Sequence, residues 1–223
     1  MINALFIGAG ALAALDWLAV ARHAGAKRAE YVFKPATLLA LIVAAWLLAQ
    51  ETHNPWLGNL FLLALIGSLA GDIFLMLPGD RAFLPGLVAF LLAHLAYIAG
   101  LNSAWPPATA WVLAPVIGGI GWLFFSRVAG GLRRSGRTRL IAPVALYALV
   151  LSLMLFSAWA TLFRAGQSAL FGALVVGGAT LFFISDALLA WDRFVAPWPP
   201  ARLLVMITYH LAQMALAASM AWA

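Results

Sequence analysis

Apolar residues run in long unbroken stretches along this chain, and polar ones gather in short intervals between them. Eight stretches stand out, at 3–21, 31–50, 57–77, 83–101, 109–126, 140–160, 168–190 and 201–221. Each is close to the ~20 residues with which a helix crosses about 30 Å of hydrocarbon. Continuous apolarity over that length predicts helices, because barrel strands are shorter and alternate, and lipid offers no water to an unpaired backbone. The expectation is an all-α polytopic membrane protein, with residues 1–223 forming one integral membrane domain of eight transmembrane helices. The first stretch has no basic residue ahead of it, while Arg22, Lys27 and Arg28 follow it. That order fits a spanning helix better than a leader peptide.

Composition sharpens the picture. Charged residues make up 9% of the chain and apolar ones 65%, with a mean hydropathy of +1.02. A water-facing domain carries about a quarter charged residues, so no soluble surface is available here. The absence of cysteine excludes disulfides, thiolate metal sites and cysteine nucleophiles. A net charge of +6 raises the question of nucleic acid, but the basic residues sit in short intervals between apolar runs and fix orientation instead. Those after stretches one, three, five and seven, helix ends included, are Arg22, Lys27, Arg28, Lys34, Arg81, Arg127, Arg133, Arg134, Arg137, Arg139, Arg193 and Arg202. Only Arg164 falls on the other side. Twelve of 13 basic residues on one face predict a bacterial-type inner membrane protein with both termini outside the cytoplasm. The dense patch from Arg133 to Arg139 reads as a topology signal and a lipid-headgroup contact.

Two motifs suggest an internal repeat of four helices plus four, related by an axis along the membrane normal. Gly71-Asp72-Ile73-Phe74-Leu75-Met76 resembles Ser185-Asp186-Ala187-Leu188-Leu189-Ala190. Each is followed about two dozen residues later by a polar cluster: His94 with Tyr97, then Tyr209, His210 and Gln213. Ionisable residues inside hydrocarbon are costly, so each is a candidate for function. Helical rise puts Asp16, Asp72 and Asp186 roughly 8 Å from the cytoplasmic ends of their helices, Lys34 about a turn inside, and His94 and His210 at roughly 14–16 Å. The pattern describes a polar cavity facing the cytoplasm or its leaflet. Gly71 and Ser185 are small enough to let helices approach and bring the two carboxylates together. Alternatives stay open for several residues. Asp16 beside Trp17 reads as an interfacial anchor or a site residue, Lys34 as a snorkelling cation or a ligand, and His94 as an interhelical bond or part of a lining shared with Tyr97. The tryptophans read as interfacial belt residues.

No G-x-S-x-G elbow or H-E-x-x-H pair is present, and the four histidines are too scattered for a metal site. What remains suits acid–base chemistry or proton-coupled transport. The residues themselves resemble a known family. Gly71 to Pro78 with Phe83, Gly86, Phe90, Ala93-His94 and Tyr97 is similar to the YhhN/TMEM86 family. So are Ser185 to Ala190 with Arg193-Phe194, Thr208-Tyr209 and Ala212-Gln213, and so is Lys34-Pro35. The family often carries another aromatic at position 210, so the resemblance implies no catalytic role for His210. It implies a lysoplasmalogenase, hydrolysing the vinyl-ether bond of a lysophospholipid to a fatty aldehyde and a glycerophospho-base, without metal or organic cofactor. Asp72 and Asp186 would then form a carboxyl pair, one donating a proton while the other stays charged. Lys34, His94, Tyr97, Tyr209, Gln213 and Asp16 would line the substrate site, with Lys34 near the phosphate. The competing reading is a proton-coupled transporter or lipid flippase, which would need polar groups on both sides of the midplane.

Overall fold

The computed structural model describes residues 1–22, 26–78 and 80–223. Among these residues lie eight α-helices: α1 (Ile2–Ala21), α2 (Ala26–Glu51), α3 (Pro55–Met76), α4 (Phe83–Leu101), α5 (Ala114–Arg134), α6 (Ile141–Ala160), α7 (Ala169–Phe194) and α8 (Ala201–Ser219). Each is long and apolar enough to cross a membrane, so the chain is an all-α multi-pass membrane protein. Of the basic residues that set the expected orientation, the side chains of Lys27 and Arg28 lie outside the described residues, as does His23.

Local chemistry accounts for the helix ends. Asn54 caps α3 by accepting from the Leu57 amide at 3.1 Å, with Pro55 in the first turn. Ser168 accepts from the Phe171 amide at the start of α7. Arg164, in the turn between α6 and α7, donates to the carbonyls of Leu101 and Ala104 and to Asn102 Oδ1, so it covers the otherwise open carboxyl end of α4. Burial lowers the pKa of this guanidinium. Besides α2, which begins at Ala26 ahead of its stretch, two helices clearly outrun the C-terminal ends of theirs: α5 continues past 126 to Arg134, and α7 past 190 to Phe194. Hydropathy marks only the part of a helix matched to hydrocarbon, whereas backbone hydrogen bonding continues until something stops it. Here the two overhanging ends pack on each other. A side chain on Gly131 would meet the Phe194 carbonyl oxygen at 1.8 Å, so only glycine fits that contact.

Neighbouring helices run α1–α2–α3–α4–α6–α7–α8 and return to α1, while α5 lies outside this circuit against α6 and α7. The tightest pairs are α3 with α4, α7 with α8, and α1 with α2. Gly71 permits the first of these, since a Cβ there would lie 2.5 Å from the Phe90 ring. Ser185 serves the second, its hydroxyl donating to the Val205 carbonyl at 3.1 Å. The distribution of polarity is inverted relative to a soluble protein. Ile7, Trp46, Leu63, Leu92, Trp122 and Leu149 face outward, whereas Asp16, Lys34, Asp72, His94, His210 and Gln213 are buried. That arrangement gives lipid an apolar skin and reserves the interior for polar groups.

Candidate active site

Asp72 sits on α3 with no exposed surface. Lys34, one helix earlier, places its Nζ 2.8 Å from Asp72 Oδ1. The Tyr209 hydroxyl of α8 donates to Asp72 Oδ2 at 2.8 Å. Lys34 also lies over the Tyr209 ring, 5.2 Å from its centroid. These three side chains form one set: a cation, a carboxylate and a phenol.

Asp186 on α7 has different company. The Tyr147 hydroxyl of α6 donates to its Oδ2 in a short hydrogen bond. His94 of α4 turns its Nε2 toward the same oxygen, 3.9 Å away. The other nitrogen of His94, Nδ1, is 2.6 Å from the Phe90 carbonyl. A carbonyl only accepts, so Nδ1 carries a proton, and in the neutral ring Nε2 presents a lone pair toward Asp186. That Nε2 has no hydrogen-bond partner among the described residues. Phe182 joins the two sets, packing edge-on against His94 at 4.6 Å and against Tyr209 at 5.5 Å between ring centroids.

The two carboxylates therefore occupy corresponding places with exchanged partners. Each takes one partner from the helix before its own hairpin, Lys34 lying 38 residues before Asp72 and Tyr147 lying 39 before Asp186. Each takes the other from the far hairpin: Tyr209 of α8 for Asp72, His94 of α4 for Asp186. No hydrogen bond links Asp72 to Asp186 among the described residues.

Access separates them further. An apolar cleft lies between α4, α5, α6 and α7, and its lining includes Asp186 and Tyr147 but neither Asp72 nor Lys34. The Asp186 side chain is 13% exposed against 0% for Asp72, so Asp186 is the carboxyl a molecule in the cleft would meet. Phe90, Phe124, Leu151 and Phe183 supply apolar walls. Toward the end of α7, Arg193 lies over the Phe83 ring at 4.4 Å from its centroid.

The remaining expected residues fall around this core. Tyr97 is buried and donates to Gln213 Oε1 at 2.8 Å, behind Tyr209 and away from the cleft lining. Asp16 is buried on α1, with neither oxygen hydrogen-bonded among the described residues, which separates it from a surface anchor. His210 accepts through Nδ1 from the Trp17 indole at 3.0 Å. Thus none of Lys34, His94 and Tyr209 is in the cleft lining, and Lys34 stands against Asp72 rather than at a cavity mouth. Tyr147 was absent from the sequence-based set. Its one signal was positional, its place before Asp186 matching that of Lys34 before Asp72.

Comparison with known proteins agrees with the motifs. The model of the YhhN family matches residues 29–220. Lysoplasmalogenase TMEM86B of Mus musculus is 32% identical over 185 residues, which are 83% of this chain and 72% of that protein. The Homo sapiens protein of the same name is 38% identical over 151 residues, 68% of this chain and 58% of its own length. Lysoplasmalogenase TMEM86A of Homo sapiens is 32% identical over 158 residues, 70% of this chain and 62% of that protein. No solved structure matches the chain.

Proposed function

This chain belongs to the YhhN family, and we propose that it is an intramembrane hydrolase that cleaves the vinyl-ether bond of lysoplasmalogens. The observation that carries this reading is Asp186: a carboxyl group open to an apolar cleft, fixed by the Tyr147 hydroxyl and faced by the His94 lone pair. Vinyl-ether hydrolysis needs a proton delivered to the β-carbon and a water delivered to the α-carbon. In the proposed mechanism Asp186 gives its proton to the β-carbon, and the double-bond electrons form the new C–H bond. The ether oxygen shares the resulting positive charge as an oxocarbenium ion. The Asp186 carboxylate left behind stabilises that cation at close range, as carboxylates do in glycoside hydrolysis. Water then adds to the α-carbon, its proton returning to Asp186 directly or by way of His94 Nε2. The hemiacetal collapses as its hydroxyl proton passes to the glycerol oxygen and the C–O bond to glycerol breaks, and a fatty aldehyde and a glycerophospho-base leave. Protons balance, and the carboxyl is restored.

Asp72 has a positioning role in this reading. Its charge is matched by Lys34, so it adds little field at the cleft, but it holds Tyr209, whose ring backs Phe182 against His94. The orientation with both termini outside the cytoplasm puts the Arg193 end of the cleft on the cytoplasmic side, supported by the distribution of basic residues. The direct test is purified protein in detergent with a lysoplasmalogen, following free aldehyde. Release by the native chain and its loss in Asp186→Asn is expected; equal release by both would remove Asp186 from the chemistry.

A further inference from the structure

We infer that the cleft is also a binding site for single-chain primary amines, which lie with the alkyl chain in its apolar part and the nitrogen on the Asp186 carboxyl group. The inference shares with the proposed reaction a cleft that Asp186 faces, but it needs no bond to carbon to be made or broken. One carboxyl group in an otherwise apolar and aromatic wall is complementary to a hydrocarbon chain that ends in a base. The Tyr147 hydroxyl holds Asp186 Oδ2, and His94 Nε2 lies 3.9 Å from the same oxygen. Asp186 thus meets the cleft with a phenol and an imidazole as its partners, not an ammonium or a guanidinium. Its Oδ1 accepts no hydrogen bond among the described residues, and so is the acceptor left for the N–H of a guest. Arg193, the other charged residue of the lining, is stacked on Phe83 about two turns further along α7, roughly 10 Å by helical rise. Phe90, Phe124, Phe125 and Phe183 stand around the carboxyl end with Tyr147, and aromatic faces attract an ammonium.

An amine suits this carboxyl because it brings no net charge with it. The neutral base enters from the lipid, and its nitrogen lone pair forms a bond to the Asp186 proton while the O–H electrons stay on the carboxylate. The product is a contact pair of ammonium and carboxylate. Guest and site together remain neutral, so no charge is buried without its opposite. The ammonium donates to Oδ1 in a charge-assisted hydrogen bond. Two relatives with the same chain lack one part of this chemistry. An alcohol hydrogen-bonds to the carboxyl but does not take its proton. A trimethylammonium has no N–H and carries its charge in, so Asp186 must first give its proton to water.

The test compares three guests that share one chain: dodecylamine, dodecanol and dodecyltrimethylammonium. Affinities are measured by thermophoresis on the labelled full chain in a neutral maltoside detergent. Each guest is compared between native and variant proteins at one detergent concentration, so that its partition into micelles cancels. Asp186→Asn should weaken dodecylamine binding by about ten- to a hundredfold, the range for a hydrogen bond to a charged group. Dodecanol binding should be unchanged in that variant, and the loss for dodecyltrimethylammonium should be smaller than for dodecylamine. Ala148→Phe adds bulk to the cleft wall on α6 and leaves Asp186 in place, so it should weaken all three guests. It also keeps the assignment testable if the Asn variant does not fold. Dodecylamine binding unchanged in either variant, or an equal loss of all three guests in Asp186→Asn, overturns the assignment. The expected pattern in a protein that releases no aldehyde from lysoplasmalogen would refute the reaction and leave the amine site standing. Aldehyde release that depends on Asp186, without that pattern, would do the reverse.

Discussion

Replacing Asp72 by Asn isolates the energetics of the Lys34–Asp72 pair. The ammonium and the carboxylate are 2.8 Å apart, and their side chains are 7% and 0% exposed. Asparagine keeps the shape and still accepts from Tyr209, but leaves the Lys34 charge unmatched in a buried site. Removing one member of a buried ion pair costs about 3–5 kcal/mol, because the survivor is neither solvated nor paired. Removing both is often close to neutral, since the desolvation cost of both charges disappears with their attraction. Asp72→Asn should therefore lose about 3 kcal/mol, Lys34→Met a similar amount, and the double variant about 1 kcal/mol or less. On the scale of soluble proteins of this length, each kcal/mol moves Tm by about 2–4 °C, so a single variant should melt roughly 6–12 °C lower and the double near the native value. The assay is thermal unfolding in detergent, followed by tryptophan fluorescence, on all four proteins. The coupling within this cycle should exceed about 2 kcal/mol. Additive losses, or an Asp72→Asn variant as stable as the native chain, would refute the reasoning. Activity gives a second reading on the same proteins: if Asp72 positions rather than reacts, the double variant should release aldehyde faster than Asp72→Asn alone.

Other outcomes follow from the same geometry. Asp186→Asn should lower kcat by about 10²–10⁴ with a near-native melting temperature, as expected for loss of a proton donor, and native turnover should be slower in D₂O if protonation of carbon limits the rate. Arg164→Ala uncovers the carboxyl end of α4 and should cost about 1–3 kcal/mol in the same melting assay, with the cleft chemistry intact. Reporter fusions should behave as external at Ala223 and as cytoplasmic at Ser135; a cytoplasmic Ala223 would invert the cleft in the membrane.

The fold was legible because lipid makes a single demand, that every spanning segment be apolar and satisfy its own backbone. α4 has the bounds its apolar stretch predicts. α5 does not, because Arg127 to Arg134 keep helical hydrogen bonding beyond the hydrocarbon and Gly131 seats them on α7. The polar interior was legible as an inventory: Asp72, Asp186, Lys34, His94 and Tyr209 are five of the six members of the two carboxylate sets. Their assignment to partners was not, since a sequence motif gives depth along a helix but not the rotation that chooses a neighbour. Matched depth suggested that the two aspartates meet, whereas each is taken up by residues of other helices. Tyr147 escaped notice because, unlike Tyr97 and Tyr209, it has no polar residue within a helical turn of it to mark it. Arg193 was visible only as one more basic residue, and its stacking on Phe83 of another hairpin was not visible at all.

The exchange of partners between hairpins also bears on how such a protein is assembled. Helices α1 to α4 bring Asp72 but lack the phenol that holds it, and α5 to α8 bring Asp186 but lack its imidazole. A half-length ancestor with this arrangement would have had to work as a pair, each copy completing the other, so joining the copies would preserve an existing interface. Fusion also frees the two positions to diverge. A lysine beside one carboxylate locks it into the scaffold as a neutralised pair. A tyrosine at the corresponding place leaves the other without a compensating cation, available for chemistry.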